Sequence, residues 1–474
     1  MITQVIGPFN SGTTLMYYYG SRYLNCKHDI YFWKHLIIDS SNEKKIIEDI
    51  KNENFIAMIR HPYFWINSCK LNGYSLKRPK GLFNEISLIS SINGNTYKQD
   101  FKNIIELWNS YYINYEKYFK NLFVVKLEDL TNKPKEVLEK IYNNMGIHRI
   151  KPFIFRGIID RSLKIGKGHK PSNVSRNVSN SLYNIENIKY FYSRNSIDYI
   201  NNNLNIQLIN KYNYKLHYSK TIFFLHFHKA GGSSLVNCFN KKYNLHVPNI
   251  NGNPHLKNPK IYGSNLIPFW DFTNEQFQCW VQTLDKEQFI AFEWNYFKHY
   301  NDIDTTKIEL ITQIRDPFNR FMATNKVNNN NGNYISYESE NLKWGKKEGN
   351  YFNVNFNKYN YYVKMLNGLG DIHNIEVNET HLEIAKKQLD KFFFVIILEE
   401  PESYKPFEKY YNVAHGIYKN DSKKYLQNKE QIEFKKNFIE KNALDYKLYN
   451  YAKEKFKNVS ENILPYINEG INEL

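Results

Sequence analysis

The sequence predicts an α/β fold made of two tandem domains, each with a central parallel β-sheet flanked by helices. Short apolar runs alternate with longer helical segments, which is the pattern of parallel sheets. A glycine-containing turn after one strand, and an arginine–proline turn after a later strand, occur in that order once in each half. The 474 residues exceed one ordinary domain. We place the boundary where a new strand begins, giving domains 1–218 and 219–474.

In the first half, ITQVIGPFNSGTTLMYYY reads as a strand, a turn with two glycines and a proline, and the start of a helix. About fifty residues later, NFIAMIRHPYFWINS forms an apolar strand that ends in Arg60, a proline turn and Ser68. An arginine at a strand end often makes only a structural ion pair. Its recurrence in the second half favours a shared role.

The second half repeats this order with FFLHFHKAGGSSL at residues 223–235 and IELITQIRDPFNRFMAT at residues 308–324. Gly231 and Gly232 permit a tight turn and close approach of a ligand. Helix N–H groups and the charge of Lys229 then face an anion. The stretch does not spell GxxxxGK[ST], because the lysine precedes the glycines. A phosphate cradle and a simple strand-to-helix joint both fit this stretch taken alone.

The composition indicates globular domains with anionic partners. Hydrophobic residues make up 42% and aromatic residues 16%, and 64 Lys and Arg against 47 Asp and Glu give a net charge of +17. The basic residues are scattered, which argues against a nucleic-acid interface. Four widely spaced cysteines indicate reduced thiols. With no apolar run of membrane-spanning length and no signal peptide, we expect a cytoplasmic protein without a membrane anchor.

These motifs together resemble the sulfotransferase superfamily over nearly the whole chain. FLHFHKAGGSSL is similar to the 5′-phosphosulfate loop of the carbohydrate branch, usually Pro-Lys-Thr-Gly-Gly-Thr-Ser, and IRDPFNRF to its 3′-phosphate strand-turn. In the first half GPFNSGTTL, IRHPYFWINS and LFVVKLEDLTNKPKEVLEKIYNNMGI resemble the corresponding passages. The resemblance implies two P-loop-like domains that use 3′-phosphoadenosine 5′-phosphosulfate as co-substrate and need no metal.

The resemblance also implies a set of donor-site residues. Lys229 would stabilise the leaving oxygen, Arg60 and Arg315 would bind the 3′-phosphate, and Ser68 would complete that site in the first domain. The second domain has Ala323 where that serine is expected, so Thr324 is the substitute. The remaining predicted donor contacts lie in the two loops and a basic segment: Asn10, Ser11, Gly12, Thr13, Thr14, Ala230, Gly231, Gly232, Ser233, Ser234, Lys167 and Lys170.

A general base must accept the proton of the acceptor hydroxyl. In FIAFEWNYFKHY, the resemblance points to Glu293, with His299 as the competitor. In the first half, CKHDIYFWKHL resembles a Lys-Glu-x-x-Phe-Phe passage, which makes Asp29 the base candidate and Lys27 its electrostatic partner. His28 and His35 are the alternatives there.

We therefore expect a tandem sulfotransferase that transfers sulfate to a hydroxyl group, with a carbohydrate as the expected acceptor. The net positive charge of the chain suits an acidic acceptor. Asn10 departs from the lysine or arginine common at its position. Either Lys27 replaces that charge, or the first domain binds nucleotide without turnover. The alternative is a pair of degenerate domains that bind a nucleotide or an acidic glycan. A P-loop kinase is less favoured, because both loops lack GK[ST].

Overall fold

The computed structural model describes residues 3–27, 31–71, 82, 84–92, 95–146, 150, 183–227, 229–242, 273–282, 284, 289–292, 299, 303–326, 359–369, 375–413 and 429–464. The chain divides into two compact units. The N-terminal unit contains residues 1–218 together with 460–474, and the C-terminal unit contains residues 219–459.

The N-terminal unit has a four-stranded parallel sheet and a separate antiparallel hairpin. The strands are β1 (Thr3–Ile6), β2 (Cys26–Lys27), β3 (Asn54–Ile59), β4 (Ile86–Ile92), β5 (Asn95–Phe101) and β6 (Asn121–Lys126). The parallel sheet has the order β2-β1-β3-β6, and β4 pairs with β5. Strands β1 and β3 are buried along their whole length, as expected for parallel strands covered on both faces.

Helices flank this sheet. They are α1 (Thr13–Tyr23), α2 (Glu43–Ile50), α3 (Pro62–Leu71), α4 (Ile104–Tyr118), α5 (Leu127–Asn132), α6 (Pro134–Met145), α7 (Ile188–Phe191), α8 (Arg194–Asn203) and α9 (Ile206–Lys211). Helix α4 begins at Ile104 because the Asn103 side chain accepts the Ile105 and Glu106 N–H groups at 2.9 Å. Helix α6 ends at Gly146, whose φ of 60° lies in the left-handed region.

The C-terminal unit has the strands β7 (Thr221–His226), β8 (Phe289–Phe292), β9 (Ile308–Ile314) and β10 (Phe394–Ile397). They form a parallel sheet of order β8-β7-β9-β10. In the N-terminal sheet, β1 lies between β2 and β3, and β6 lies beyond β3. In the C-terminal sheet, β7 lies between β8 and β9, and β10 lies beyond β9. The carboxyl ends of β1 and β3, and those of β7 and β9, are therefore neighbours.

The helices of the C-terminal half are α10 (Gly232–Lys242), α11 (Asn274–Gln282), α12 (Pro317–Lys326), α13 (Tyr361–Leu366), α14 (Glu379–Asp390), α15 (Tyr404–Tyr411), α16 (Lys429–Lys441) and α17 (Ala443–Asn462). Its core packs Phe223, Leu225 and Leu310 of the sheet against helix residues that include Trp280 and Tyr361.

The predicted α/β class, with parallel sheets flanked by helices, is confirmed in both units. None of the described helices is both long enough and apolar enough to cross a bilayer.

Candidate functional site

The loop between β1 and α1 is a tight backbone turn that leads straight into a helix N-terminus. Asn10 and Gly12 both have left-handed backbones, with φ of 56° and 90°. The Ser11 N–H donates to the Pro8 carbonyl at 3.3 Å, and the Ser11 hydroxyl donates to the same oxygen at 2.6 Å. A Cβ at Gly12 would lie 2.5 Å from Leu127 Cδ1, so only glycine fits here without displacing a core side chain.

The loop between β7 and α10 repeats this conformation residue by residue. Lys229 has φ 57° and Gly231 has φ 91°. The Ala230 N–H donates to the Phe227 carbonyl at 3.2 Å, as Ser11 does in the first loop. A Cβ at Gly231 would lie 2.9 Å from Gln313 Nε2 and 3.4 Å from Leu398 Cδ1. Lys229 is thus the counterpart of Asn10, and its left-handed backbone is uncommon for a lysine.

An arginine from the neighbouring strand is bonded to each loop. Arg60 follows β3, and its Nη1 donates to the Asn10 carbonyl at 2.8 Å. Arg315 follows β9, and its Nη1 donates to the Lys229 carbonyl at 3.3 Å. Arg315 is only 7% exposed. The two parts of each predicted site, the loop and the arginine, therefore lie together in both units.

A buried tyrosine holds the backbone of each arginine. The Arg60 N–H donates to the Tyr112 hydroxyl at 3.4 Å, and the Arg315 N–H donates to the Tyr362 hydroxyl at 3.0 Å. The Tyr362 hydroxyl in turn donates to the Arg315 carbonyl at 2.9 Å. These bonds fix the point at which each strand ends.

In the C-terminal unit, this tyrosine stands on a helix with a buried cap. Asp445 accepts the N–H groups of Tyr362 and Val363 at 3.0 and 2.9 Å, at the start of α13. Burial raises the pKa of Asp445 to about 6, while its two N–H bonds and the nearby Arg320 oppose that shift.

In each unit, a glutamate that lies two residues after the edge strand, β6 or β10, completes the arrangement. Glu128 Oε1 accepts the His61 N–H at 2.8 Å, and Glu399 Oε2 accepts the Asp316 N–H at 3.0 Å. Burial raises the pKa of both carboxyls, and these N–H bonds oppose the shift. Glu399 Oε1 also lies 3.8 Å from Arg315 Nε.

The sequence reasoning missed these two tyrosines and two glutamates. The signal that marks the glutamates is a Leu-Glu pair directly after an apolar strand, in KLEDL and ILEEP. The tyrosines give no such signal, because a buried helical tyrosine reads as ordinary core.

The two loops differ in the side chain of the residue whose carbonyl oxygen accepts the arginine hydrogen bond, Asn10 in one loop and Lys229 in the other. The Asn10 side chain donates to the Ser68 carbonyl at 3.3 Å and to Cys69 Sγ at 3.8 Å, so it is directed to α3. Ser68 thus lies beside the loop, and the bond uses its backbone oxygen. Burial raises the pKa of the Cys69 thiol to about 12, so this sulfur is a neutral partner. Lys229 is half-buried, as Asn10 is, so the two positions differ in side-chain chemistry and not in burial.

The remaining predicted donor contacts lie at the starts of α1 and α10, in the last turn of α12, or outside the described residues. Thr13 is buried and Thr14 half-buried in the first turn of α1, and Ser234 is half-buried in that of α10. Ser233 belongs to α10 and Thr324 to α12, with side chains outside the description. Lys167 and Lys170 lie outside the described residues.

The base candidates are only partly described. Lys27 is exposed and pairs in register with Gln4, three residues before the loop begins. His35 lies at the loop itself, where its Nδ1 donates to the Gly7 carbonyl at 2.6 Å. His299 is fully buried against the Phe277 ring, with centroids 4.4 Å apart. Asp29, His28 and Glu293 lie outside the described residues.

No protein-family model matches this chain, and a comparison with curated proteins found no match. Within the described residues, no three His, Cys, Asp or Glu side chains are grouped as a metal ion would require.

Proposed function

We propose that the chain is a sulfotransferase that uses 3′-phosphoadenosine 5′-phosphosulfate, and that the C-terminal unit transfers the sulfuryl group to a hydroxyl of a carbohydrate. The observation that carries the proposal is the bond from Arg315 Nη1 to the Lys229 carbonyl. It joins a permanently charged guanidinium to a glycine loop and a helix N-terminus. A nucleotide with phosphate groups at two positions needs two such anion contacts within one site.

Sulfuryl transfer requires stabilisation of the negative charge that develops on the oxygen that leaves the sulfur. Backbone N–H groups at the start of α10 and the ammonium of Lys229 are donors suited to that oxygen. Arg315 is suited to the 3′-phosphate, because a planar guanidinium binds such oxygens through two N–H groups. In this proposal each domain is P-loop-like, and Glu293 accepts the proton of the acceptor hydroxyl.

For the N-terminal unit, we propose nucleotide binding without transfer. Asn10 cannot neutralise a leaving oxygen, and its amide bonds to Ser68 and Cys69 direct it to α3. The bond from Arg60 to the Asn10 carbonyl keeps the loop and the arginine together. This arrangement favours a second candidate function for that unit alone, as a module that binds a nucleotide or an acidic glycan.

Transfer of radiolabelled sulfate to a panel of glycans tests the proposal. We expect transfer by the parent protein, and a loss of at least about a hundredfold in Lys229→Ala, because one preorganised donor to a developing charge is worth that much. Lys405→Ala is the matched control, since it removes an exposed lysine of the same unit, whose ammonium pairs with the exposed Glu402 at 2.7 Å.

Full activity in Lys229→Ala would rule out the assigned role of the lysine. Label that arrives from γ-labelled ATP and not from the sulfate donor would identify a kinase. Donor binding without transfer to any glycan would favour the binding function for the whole chain.

A further inference from the structure

Glu128, which follows β6, and Glu399, which follows β10, have no assigned role in the donor site. We propose that Glu399 is a positioning residue that orients the adjacent Arg315 toward the 3′-phosphate. The inference rests on the proposed function, because it assigns the arginine a phosphate to bind. It adds a residue class that neither the loop nor the arginine motif contains.

In the C-terminal unit, the carboxylate contacts both the backbone and the side chain at the strand end. Glu399 Oε2 accepts the Asp316 N–H at 3.0 Å and the Tyr449 hydroxyl at 2.9 Å. Its other oxygen lies 3.8 Å from Arg315 Nε and 3.5 Å from the Asn319 amide. The carboxylate is thus held by two short hydrogen bonds on one oxygen and presents the other to the arginine.

The arginine is thereby oriented from two sides. Its Nε edge faces Glu399, and its Nη1 donates to the Lys229 carbonyl. A guanidinium carries five N–H donors in one plane, so two such contacts define the direction of the others. At 7% exposure, the side chain has little room to take another direction.

The N-terminal unit has a glutamate at the corresponding position, held by different neighbours. Glu128 accepts the His61 N–H at 2.8 Å and the Tyr214 hydroxyl at 3.5 Å, while Arg60 is bonded to the Asn10 carbonyl. The positive charge of Arg60 opposes the effect of burial on the pKa of Glu128. The surrounding sequences KLEDL and ILEEP share Leu-Glu, and in both units the glutamate accepts the N–H of the residue that follows the arginine.

A comparison of two nucleotides isolates the positioning role. Calorimetry on the full chain measures the affinities for adenosine 3′,5′-bisphosphate and for adenosine 5′-monophosphate, which lacks the 3′-phosphate. An Arg60→Ala background removes the proposed 3′-phosphate contact of the N-terminal unit, so that a preference for the bisphosphate, and any change in it, comes from the C-terminal unit. We expect Glu399→Gln to weaken bisphosphate binding about tenfold and to leave monophosphate binding unchanged. The amide places a donor where the carboxylate faced Arg315 Nε.

Glu400→Gln is the matched control, because this adjacent carboxylate pairs with Lys453 at 2.7 Å instead; we expect both affinities to stay at the parent values. Tyr449→Phe removes one bond to the same carboxylate oxygen, and a few-fold loss confined to the bisphosphate supports the proposal even if Glu399→Gln does not fold. The melting temperature of each variant is measured alongside.

Equal losses for both nucleotides with a lower melting temperature would make Glu399 a structural residue only. Tighter bisphosphate binding in Glu399→Gln would mean that the carboxylate competes with the phosphate for the arginine, and an unchanged preference would likewise overturn the positioning role. A parent protein that does not prefer the bisphosphate would overturn the proposed function as well, which distinguishes the two failures.

Discussion

Replacing Gly12 by alanine tests whether the close packing between the first loop and Leu127 constrains that loop. Gly12 has φ 90°, and an added Cβ would lie 2.5 Å from Leu127 Cδ1. A left-handed backbone disfavours alanine by about 1 kcal/mol. Displacing Leu127, which is buried among core residues, adds about 1–2 kcal/mol. We therefore expect Gly12→Ala to destabilise the N-terminal unit by about 2–3 kcal/mol.

Gly146 supplies the control in the same unit. Its φ is 60°, and nothing lies within 4 Å of an added Cβ. Gly146→Ala should therefore show the backbone term alone, about 1 kcal/mol. Hydrogen-exchange mass spectrometry of peptides from β1 and β3 measures the opening free energy of this unit directly.

A double-mutant cycle with Leu127→Ala separates the packing contribution. All three of the nearest atoms to the added Cβ at Gly12 belong to Leu127. In the Leu127→Ala background, Gly12→Ala should lower the opening free energy only by the cost of the left-handed backbone. The coupling energy between the two substitutions should therefore be about 1–2 kcal/mol. Additive effects, or a Gly12→Ala variant as stable as Gly146→Ala, would refute the reasoning.

Three other substitutions test the C-terminal unit. Lys229→Asn copies the residue of the first loop; asparagine adopts the left-handed backbone readily, so we expect unchanged melting but at least about a hundredfold less sulfate transfer in a radiolabel assay. Arg315→Lys keeps the charge but loses the planar fork, and calorimetry should show about tenfold weaker binding of adenosine 3′,5′-bisphosphate; equal binding would contradict this. Because burial raises the pKa of Asp445 from 3.8 to about 6, the folded state binds its proton more tightly than the unfolded state. The contribution of this carboxyl to stability should thus be greatest below about pH 4 and fall by on the order of 3 kcal/mol up to about pH 6, and denaturant titrations should lose this component of the slope in Asp445→Asn.

The sequence was sufficient to locate the loops and the arginines, because both are local patterns. A strand, a glycine turn and a helix start follow one another in the chain, and the α/β alternation brings the ends of parallel strands to one edge. Arg60 and Arg315 each follow an apolar strand directly, so their place at that edge could be read without the structure.

The glutamates and tyrosines could not be predicted in the same way. The role of Glu399 depends on β10 lying next to β9, and a sequence does not reveal strand order. Tyr362 lies 47 positions from its partner Arg315, and its bond requires that α13 pack over the end of β9. The amide of Asn10 was also beyond prediction, because its direction depends on the carbonyl of Ser68.

Under the proposed function, the bond from each arginine to the carbonyl of its loop affects the rate at which a nucleotide binds. The loop and the guanidinium are ordered together when the chain folds. Binding of an anion therefore does not have to order them, and it loses less conformational entropy. Association should then be limited by diffusion and electrostatic steering rather than by rearrangement, and it should slow as salt is added. A rigid receptor of this kind also discriminates sharply, since it cannot relax around a nucleotide whose phosphates are differently spaced.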